Sequence, residues 1–362
     1  MTKLRVAVIG VGHLGKEHAR ILATLPDVEL VGVVDANPQQ AQAIAQKHNT
    51  QAYAECWPLY GRIDAASIVV PTTHHLAVAE EFIRRGVHLL IEKPLARSLD
   101  EADRLVEMSQ AHRVIVQVGH IERFNPAFEE VLRGPIHPKL IRSQRVGPFS
   151  GRSSDIGVVL DLMIHDLDLL LTLVPSPVVD VDAVGIGVFG GHEDIVSARL
   201  CFANGCVAEL LANRASPEPA RRMQIWGHEG HADVDFSQRR VTLIQPTEAV
   251  RREGLNPSKL AAADRATLRE DLFTKYLPTK TIDGQAKDQL TAELDDFVTS
   301  VRTGCSPRVT IQAGRDAVAL AERILRATRQ HRHDAADHPS GPHRLPFPTG
   351  PLYPVEDERQ VA

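Results

Sequence analysis

From residue 4 onward, short runs of valine, isoleucine, leucine and alanine alternate with stretches in which apolar residues recur at helical spacing. Leu4 to Gly10, Val28 to Asp35, Ala65 to Val70, His88 to Ile91 and Val114 to Val118 read as strands. Lys16 to Leu25, Pro38 to His48, His75 to Arg85 and Leu99 to Ala111 read as the helices between them. Strictly alternating strands and helices predict a parallel, doubly wound α/β sheet over residues 1–120, with right-handed crossovers.

Beyond residue 121 the pattern changes. A helix near Pro126 to Leu132, a strand around Leu140 to Val146 and a helix at Val158 to Val174 precede a group of strands. These are Val178 to Val188, Ile195 to Phe202, Cys206 to Asn213, Arg222 to His228 and Ala232 to Asp235. Grouped strands with turn residues at Asn204-Gly205 and Glu229-Gly230 predict an α+β domain with an open, mainly antiparallel sheet over residues 121–330. Pro246 to Gly284 carries no clear period, and helices follow at Gln285 to Thr303 and Gln312 to His331. Residues 331–362 are rich in proline and histidine and read as an extended tail.

Length and composition narrow the function. The 362 residues suit two domains, and 43% apolar with 24% charged residues suits a folded chain. A net charge of −5 and only 4% aromatic residues disfavour nucleic acid or an anionic membrane as partner, leaving a small or medium polar ligand. Cys56, Cys201, Cys206 and Cys305 show no metal-type spacing. A two-residue turn at Asn204-Gly205 pairs Ala203 with Cys206 and leaves Cys201 out of register for a disulfide, so all four read as thiols. With no signal peptide and no apolar run long enough to span a bilayer, a cytoplasmic location is expected. The histidines of the tail lack a scaffold to fix coordination, and no metal is expected.

The first chemical signal is Gly10-Val11-Gly12-His13-Leu14-Gly15, a G-x-G-x-x-G between a strand and a helix. Gly10 makes the tight turn, Gly12 admits a pyrophosphate to the backbone, and Gly15 packs helix on strand. Asp35 ends the next strand 20 residues beyond Gly15, where a carboxylate accepts ribose hydroxyls and repels a 2′-phosphate. The context points to a Rossmann domain holding NAD rather than NADP; a glycine turn serving helix packing alone is the competing reading. The second signal, Glu92-Lys93-Pro94, closes the fourth strand, where a lysine beside a nicotinamide can exchange a proton, although single lysines are usually solvated. In the third, Asp161 and His165 stand four apart on a helix, so the carboxylate can set the imidazole tautomer, as in many ordinary helical pairs.

Together with Val70-Pro71-Thr72 and His75, these motifs resemble the glucose-fructose oxidoreductase and inositol dehydrogenase (Gfo/Idh/MocA) family over nearly the whole chain. The resemblance implies Lys93, Asp161 and His165 as catalytic residues. It sets Gly10, Gly12, His13, Leu14, Gly15, Asp35, Pro71, Thr72, His75, Glu92 and Lys93 around the NAD cofactor, and implies a cis Lys93-Pro94 bond and a homodimer or homotetramer joined through the open sheet face. The runs Val118 to Pro126, Arg145 to Phe149 and Asp155 to Asp168 are similar to a branch that oxidises C3 of UDP-N-acetylglucosamine and hands the ketone to a pyridoxal-phosphate aminotransferase on the way to lipid A. His13, where tyrosine is usual, and the tail depart from that branch. Arg123, Arg142, Arg145 and Arg152 lie between the catalytic motifs and suit a diphosphate, or else a solvated basic loop. Arg123, Asn125, Arg145, Arg152 and His165 are thus the expected contacts of a nucleotide-sugar substrate. An inositol or other polyol dehydrogenase and a non-catalytic NAD sensor are the alternatives.

Overall fold

The computed structural model describes residues 2–149, 151, 155–189, 191–284 and 288–336, arranged around two sheets. The first part runs β1 (Leu4–Ile9), α1 (Gly15–Leu22), β2 (Val28–Val34), α2 (Pro38–His48), β3 (Gln51–Tyr53), β4 (Ala65–Ile68), α3 (His75–Ile83), β5 (His88–Glu92), α4 (Leu99–His112) and β6 (Val116–Gly119). Its six strands are all parallel, in the order β3-β2-β1-β4-β5-β6. The order reverses between β1 and β4, which opens a crevice at their carboxyl ends. Helices cover both faces of a central strand, and Val6, Ala7 and Val8 of β1 accordingly have no exposed surface. Local signals fix the helix starts: Asn37 accepts from the Gln39 and Gln40 N–H groups ahead of α2, and Ser98 accepts from Glu101 N–H ahead of α4.

The second part comprises α5 (Pro126–Arg133), β7 (Leu140–Pro148), α6 (Ile164–Leu173), β8 (Val178–Ile186), β9 (Ile195–Phe202), β10 (Val207–Asn213), β11 (Ala215–Gly227), β12 (Gly230–Asp235), β13 (Arg240–Ile244), α7 (Glu248–Glu253), α8 (Ala262–Asp271), β14 (Thr279–Asp283), α9 (Gln289–Thr303) and α10 (Ile311–Ala336). Eight strands form one sheet in the order β14-β13-β12-β11-β7-β10-β9-β8. The β7–β10 pair is parallel and the others are antiparallel. One face packs under α6 and α10, through Leu167, Leu170, Leu320 and Ile324 against Ala198, Leu200 and Leu210. On the other face, Arg142, Gln144 and Arg199 stay exposed.

Several expectations change. Cys206 lies opposite Phe202, whose N–H donates to the Cys206 carbonyl at 2.8 Å, so the turn holds Ala203, Asn204 and Gly205 and does not pair Ala203 with Cys206. The extra residue is accommodated by Gly205 at φ 82°. Cys201 then faces Val207, and the four thiols are free. β3, β13 and β14 are additional strands. β3 has three residues, too few for a period, while β13 and β14 are half-exposed strands at the sheet edge. α9 buries Leu294 and Phe297 in one cluster with Val6 and Val8 of β1 and Leu22 of α1, so a late helix packs on the first sheet. α10 continues to Ala336, past the expected start of the tail at residue 331; the rest of the tail lies outside the described residues.

Candidate active site

The crevice between β1 and β4 is made of backbone. At Gly10, with φ 86°, an added Cβ would stand 2.5 Å from the Val69 carbonyl oxygen, and at Gly15 one would stand 1.9 Å from the Gly10 oxygen. Both glycines are demanded by the protein itself. At Gly12 a Cβ would meet nothing within 4 Å, so the bare backbone there faces open space of the kind a pyrophosphate needs. Asp35 accepts from the N–H groups of Val11 at 2.9 Å and Asn37 at 2.8 Å. It remains half-buried, and a carboxylate with two oxygens retains lone pairs for ribose hydroxyls. His13 and Leu14 are exposed on the turn, and Pro71 is exposed beyond β4. These residues fit NAD.

His75 and Glu92 hold the crevice in shape. The His75 ring lies 3.0 Å from the Val70 carbonyl and 2.9 Å from that of Pro94, tying the segment after β4 to the one after β5. Burial holds its pKa down, so one nitrogen carries the proton. Thr72 is buried beside it. Glu92 is buried, 3.2 Å from His18, whose other nitrogen is 2.8 Å from the Ser67 hydroxyl. Both side chains, expected among the cofactor contacts, therefore bond to protein groups.

The Lys93-Pro94 peptide is cis, and Lys93 leaves the end of β5 toward the second domain. Its Nζ donates to the Asp161 carbonyl at 2.8 Å and to Asp161 Oδ1 at 3.2 Å, engaging two of the three ammonium hydrogens. Lys93 and Asp161 each keep about a fifth of their side-chain surface exposed, at 19% and 18%. Asp161 was expected to orient His165, and the structure corrects this. Val159–Met163 is a π-helical turn, in which residues five apart are stacked, and the carboxylate turns to Lys93. His165 Nδ1 is shut off from solvent and has no partner among the described residues. Desolvation, followed by the charges of Lys93, Arg145, His120 and Arg221, holds the imidazole well below its ordinary pKa. A neutral ring that feels the Lys93 charge, near a lysine held by Asp161, is an arrangement suited to binding and deprotonating a hydroxyl.

The arginines are another correction. Arg145 is fully buried, bonded to Glu122 at 2.9 Å and to Asp166 at 3.0 and 3.2 Å, so it is closed to substrate. Arg123 forms a bidentate pair with buried Asp168 at 2.6 and 2.8 Å. Arg142 pairs with Glu209 at 2.6 Å on the opposite face of the sheet. Asn125, wholly buried, donates to Glu122 and to the Phe236 carbonyl while capping α5 through Ala127 N–H. Arg152 lies outside the described residues. The expected substrate contacts at Arg123, Arg145 and Asn125 are thus the scaffold that positions α6 beneath the site.

The sequence reading assigned no role to His120, which is 1% exposed with neither ring nitrogen partnered among the described residues. Its ring centre is 6.4 Å from that of His165, at 86°. It directly follows β6, and ligand contacts in such sheets gather at the carboxyl ends of strands, a signal present in the sequence.

The chain resembles known proteins throughout this arrangement. Residues 4–120 match the oxidoreductase family GFO_IDH_MocA with its NAD-binding Rossmann fold, and residues 139–233 match a GFO/IDH/MocA C-terminal domain. UDP-N-acetylglucosamine 3-dehydrogenase of Acidithiobacillus ferrooxidans is 36% identical over 325 residues, covering 90% of this chain and 97% of the relative. A solved structure of that organism's enzyme superposes with a TM-score of 0.79, covering 91% of this chain and 99% of that one. The scyllo-inositol 2-dehydrogenase of Bacillus subtilis is 29% identical over 64% of this chain and 71% of its own length. The chain belongs to the Gfo/Idh/MocA family of NAD-binding oxidoreductases that act on CH–OH groups, and is a sugar dehydrogenase of that type.

Proposed function

We propose that the protein oxidises the C3 hydroxyl of UDP-N-acetylglucosamine to the 3-oxo sugar, preferring NAD to NADP. The likeness that spans 97% of a UDP-N-acetylglucosamine 3-dehydrogenase carries this reading, because it includes both sheets and the cleft between them. NAD, when bound in the crevice, supplies the hydride acceptor. Lys93 acts as the free amine: its two hydrogens stay directed to Asp161 while the Nζ lone pair takes the hydroxyl proton. His165, kept neutral, hydrogen-bonds the same or the adjacent oxygen and relays the proton. Asp35 favours NAD because a 2′-phosphate would approach a carboxylate.

The ketone product is a substrate for transamination, so a pyridoxal-phosphate aminotransferase forming a 3-amino sugar, of the kind used in lipid A, is the proposed next step. A homodimer or homotetramer joined through the exposed face of the second sheet is the proposed assembly. A neutral cyclitol is the second reading, favoured by the likeness to an inositol dehydrogenase.

The test follows NADH formation with UDP-N-acetylglucosamine, free N-acetylglucosamine and myo-inositol, with aminotransferase and glutamate present to remove product. Turnover should be clear with the nucleotide sugar and weak with the others. Faster turnover of inositol or of the free sugar would overturn the substrate assignment.

A further inference from the structure

Three of the four arginines between the catalytic motifs are engaged by acidic residues, and the fourth lies outside the described residues. Arg221 is different. It stands on β11 directly opposite Arg145 of β7, and residues paired in this way across an antiparallel ladder share a face of the sheet. That face carries Arg145 onto Asp166, the neighbour of His165. Along β11 the same face continues through Met223 and Ile225, both without exposed surface, whereas Arg221 is exposed. Burial along this face of the strand thus ends at Arg221.

No carboxylate, carbonyl or ring among the described residues engages its guanidinium. Arg145, across the ladder, is neutralised by Glu122 and Asp166. With Arg145 held by two carboxylates, the exposed guanidinium of Arg221 is the cation on this face left available to an anion. Its charge reaches the reacting centre, being one of the four that disfavour protonation of His165.

We propose that Arg221 binds the diphosphate of the substrate and is the residue that makes this cleft select a phosphorylated sugar over a neutral one. The proposal deepens the nucleotide-sugar reading and rests on it. A guanidinium presents paired N–H donors that match phosphate oxygens bidentately.

The experiment compares Arg221→Gln and Arg221→Lys with the unmutated enzyme, using UDP-N-acetylglucosamine and NAD, and measures UDP binding to the NAD-loaded proteins by calorimetry. Arg221→Gln should raise KM for the UDP-sugar about tenfold to a hundredfold and weaken UDP by a similar factor, the size of a lost charged hydrogen bond. The kcat and the affinity for NAD should stay within about twofold, since KM alone moves when uniform binding is lost. Arg221→Lys should fall between the two. An unchanged KM and UDP affinity in Arg221→Gln, with the unmutated enzyme active on the UDP-sugar, would overturn this assignment alone. Inactivity of the unmutated enzyme on UDP-sugars would overturn the nucleotide-sugar reading and this proposal with it.

Discussion

The two walls of the cleft are made from different materials. The dinucleotide wall is backbone, with Gly10 and Gly15 allowing chain segments into contact and Gly12 leaving bare peptide toward open space. Its one carboxylate at the rim, Asp35, is itself held by two backbone N–H groups. The sugar wall is built of ionised side chains in buried pairs: Arg145 with Glu122 and Asp166, and Arg123 with Asp168. A backbone wall binds a ligand common to many enzymes through groups every residue possesses. A wall of fixed ion pairs gives a rigid platform on which Lys93, His165 and Arg221 define the chemistry.

Substitutions on the two walls should therefore differ in what they damage. The largest effect belongs to the group between them. Lys93→Ala should lower kcat by about 10²- to 10⁴-fold while retaining NAD affinity, as measured by steady-state kinetics and calorimetry. Near-normal turnover in the folded variant would move proton transfer elsewhere. Next is the platform. Arg145→Ala leaves two carboxylates buried without their cation and should destabilise the fold by about 3–5 kcal/mol in urea unfolding. A loss below about 1 kcal/mol, accompanied by a large rise in sugar KM, would return Arg145 to the substrate contacts. On the backbone wall, Asp35→Ala should cost about 1–3 kcal/mol of stability, because two backbone N–H groups lose their acceptor, and narrow the preference for NAD over NADP about tenfold, the worth of a charge-assisted hydrogen bond. Equal binding of NAD and NADP by the unmutated protein would remove Asp35 from that role.

The smallest expected effect is on pH dependence. Burial lowers the pKa of His75, His120 and His165 from the ordinary 6.5. Below that value the unfolded chain binds more protons than the folded one, so stability is present above pH 6.5 and is lost as the pH falls. His120→Asn should flatten the acid limb by at most about 1.4 kcal/mol per pH unit. An unaltered slope between pH 6.5 and 5 would show that His120 titrates alike in both states.

The same contrast explains what was legible in the sequence. A backbone wall needs glycines at fixed spacing after a strand, and Gly10, Gly12, Gly15 and Asp35 showed it directly. The Glu92-Lys93-Pro94 turn and the span of α2 were equally plain, the latter because Asn37 and Pro38 mark its start. A side-chain wall leaves no such trace. Arg123 meets Asp168 45 positions away and Arg145 meets Glu122 23 positions away, and an arginine on a strand reads the same whether it awaits a phosphate or already holds a carboxylate. The π-turn at Val159–Met163 also has no propensity signature, so Asp161 appeared to belong to His165 when it bonds Lys93. Arg221 was hidden because its significance comes from lying opposite Arg145 across the ladder.

The central claim, hydride removal from C3 of a nucleotide sugar in a cleft with Lys93 as proton acceptor, is tested most directly with UDP-N-acetylglucosamine carrying deuterium at C3. Incubated with NAD and the coupling aminotransferase, the enzyme should yield NADH bearing that deuterium, detected by mass spectrometry. NADH formed without the label would contradict oxidation at C3, and an absence of NADH would contradict the nucleotide sugar as substrate.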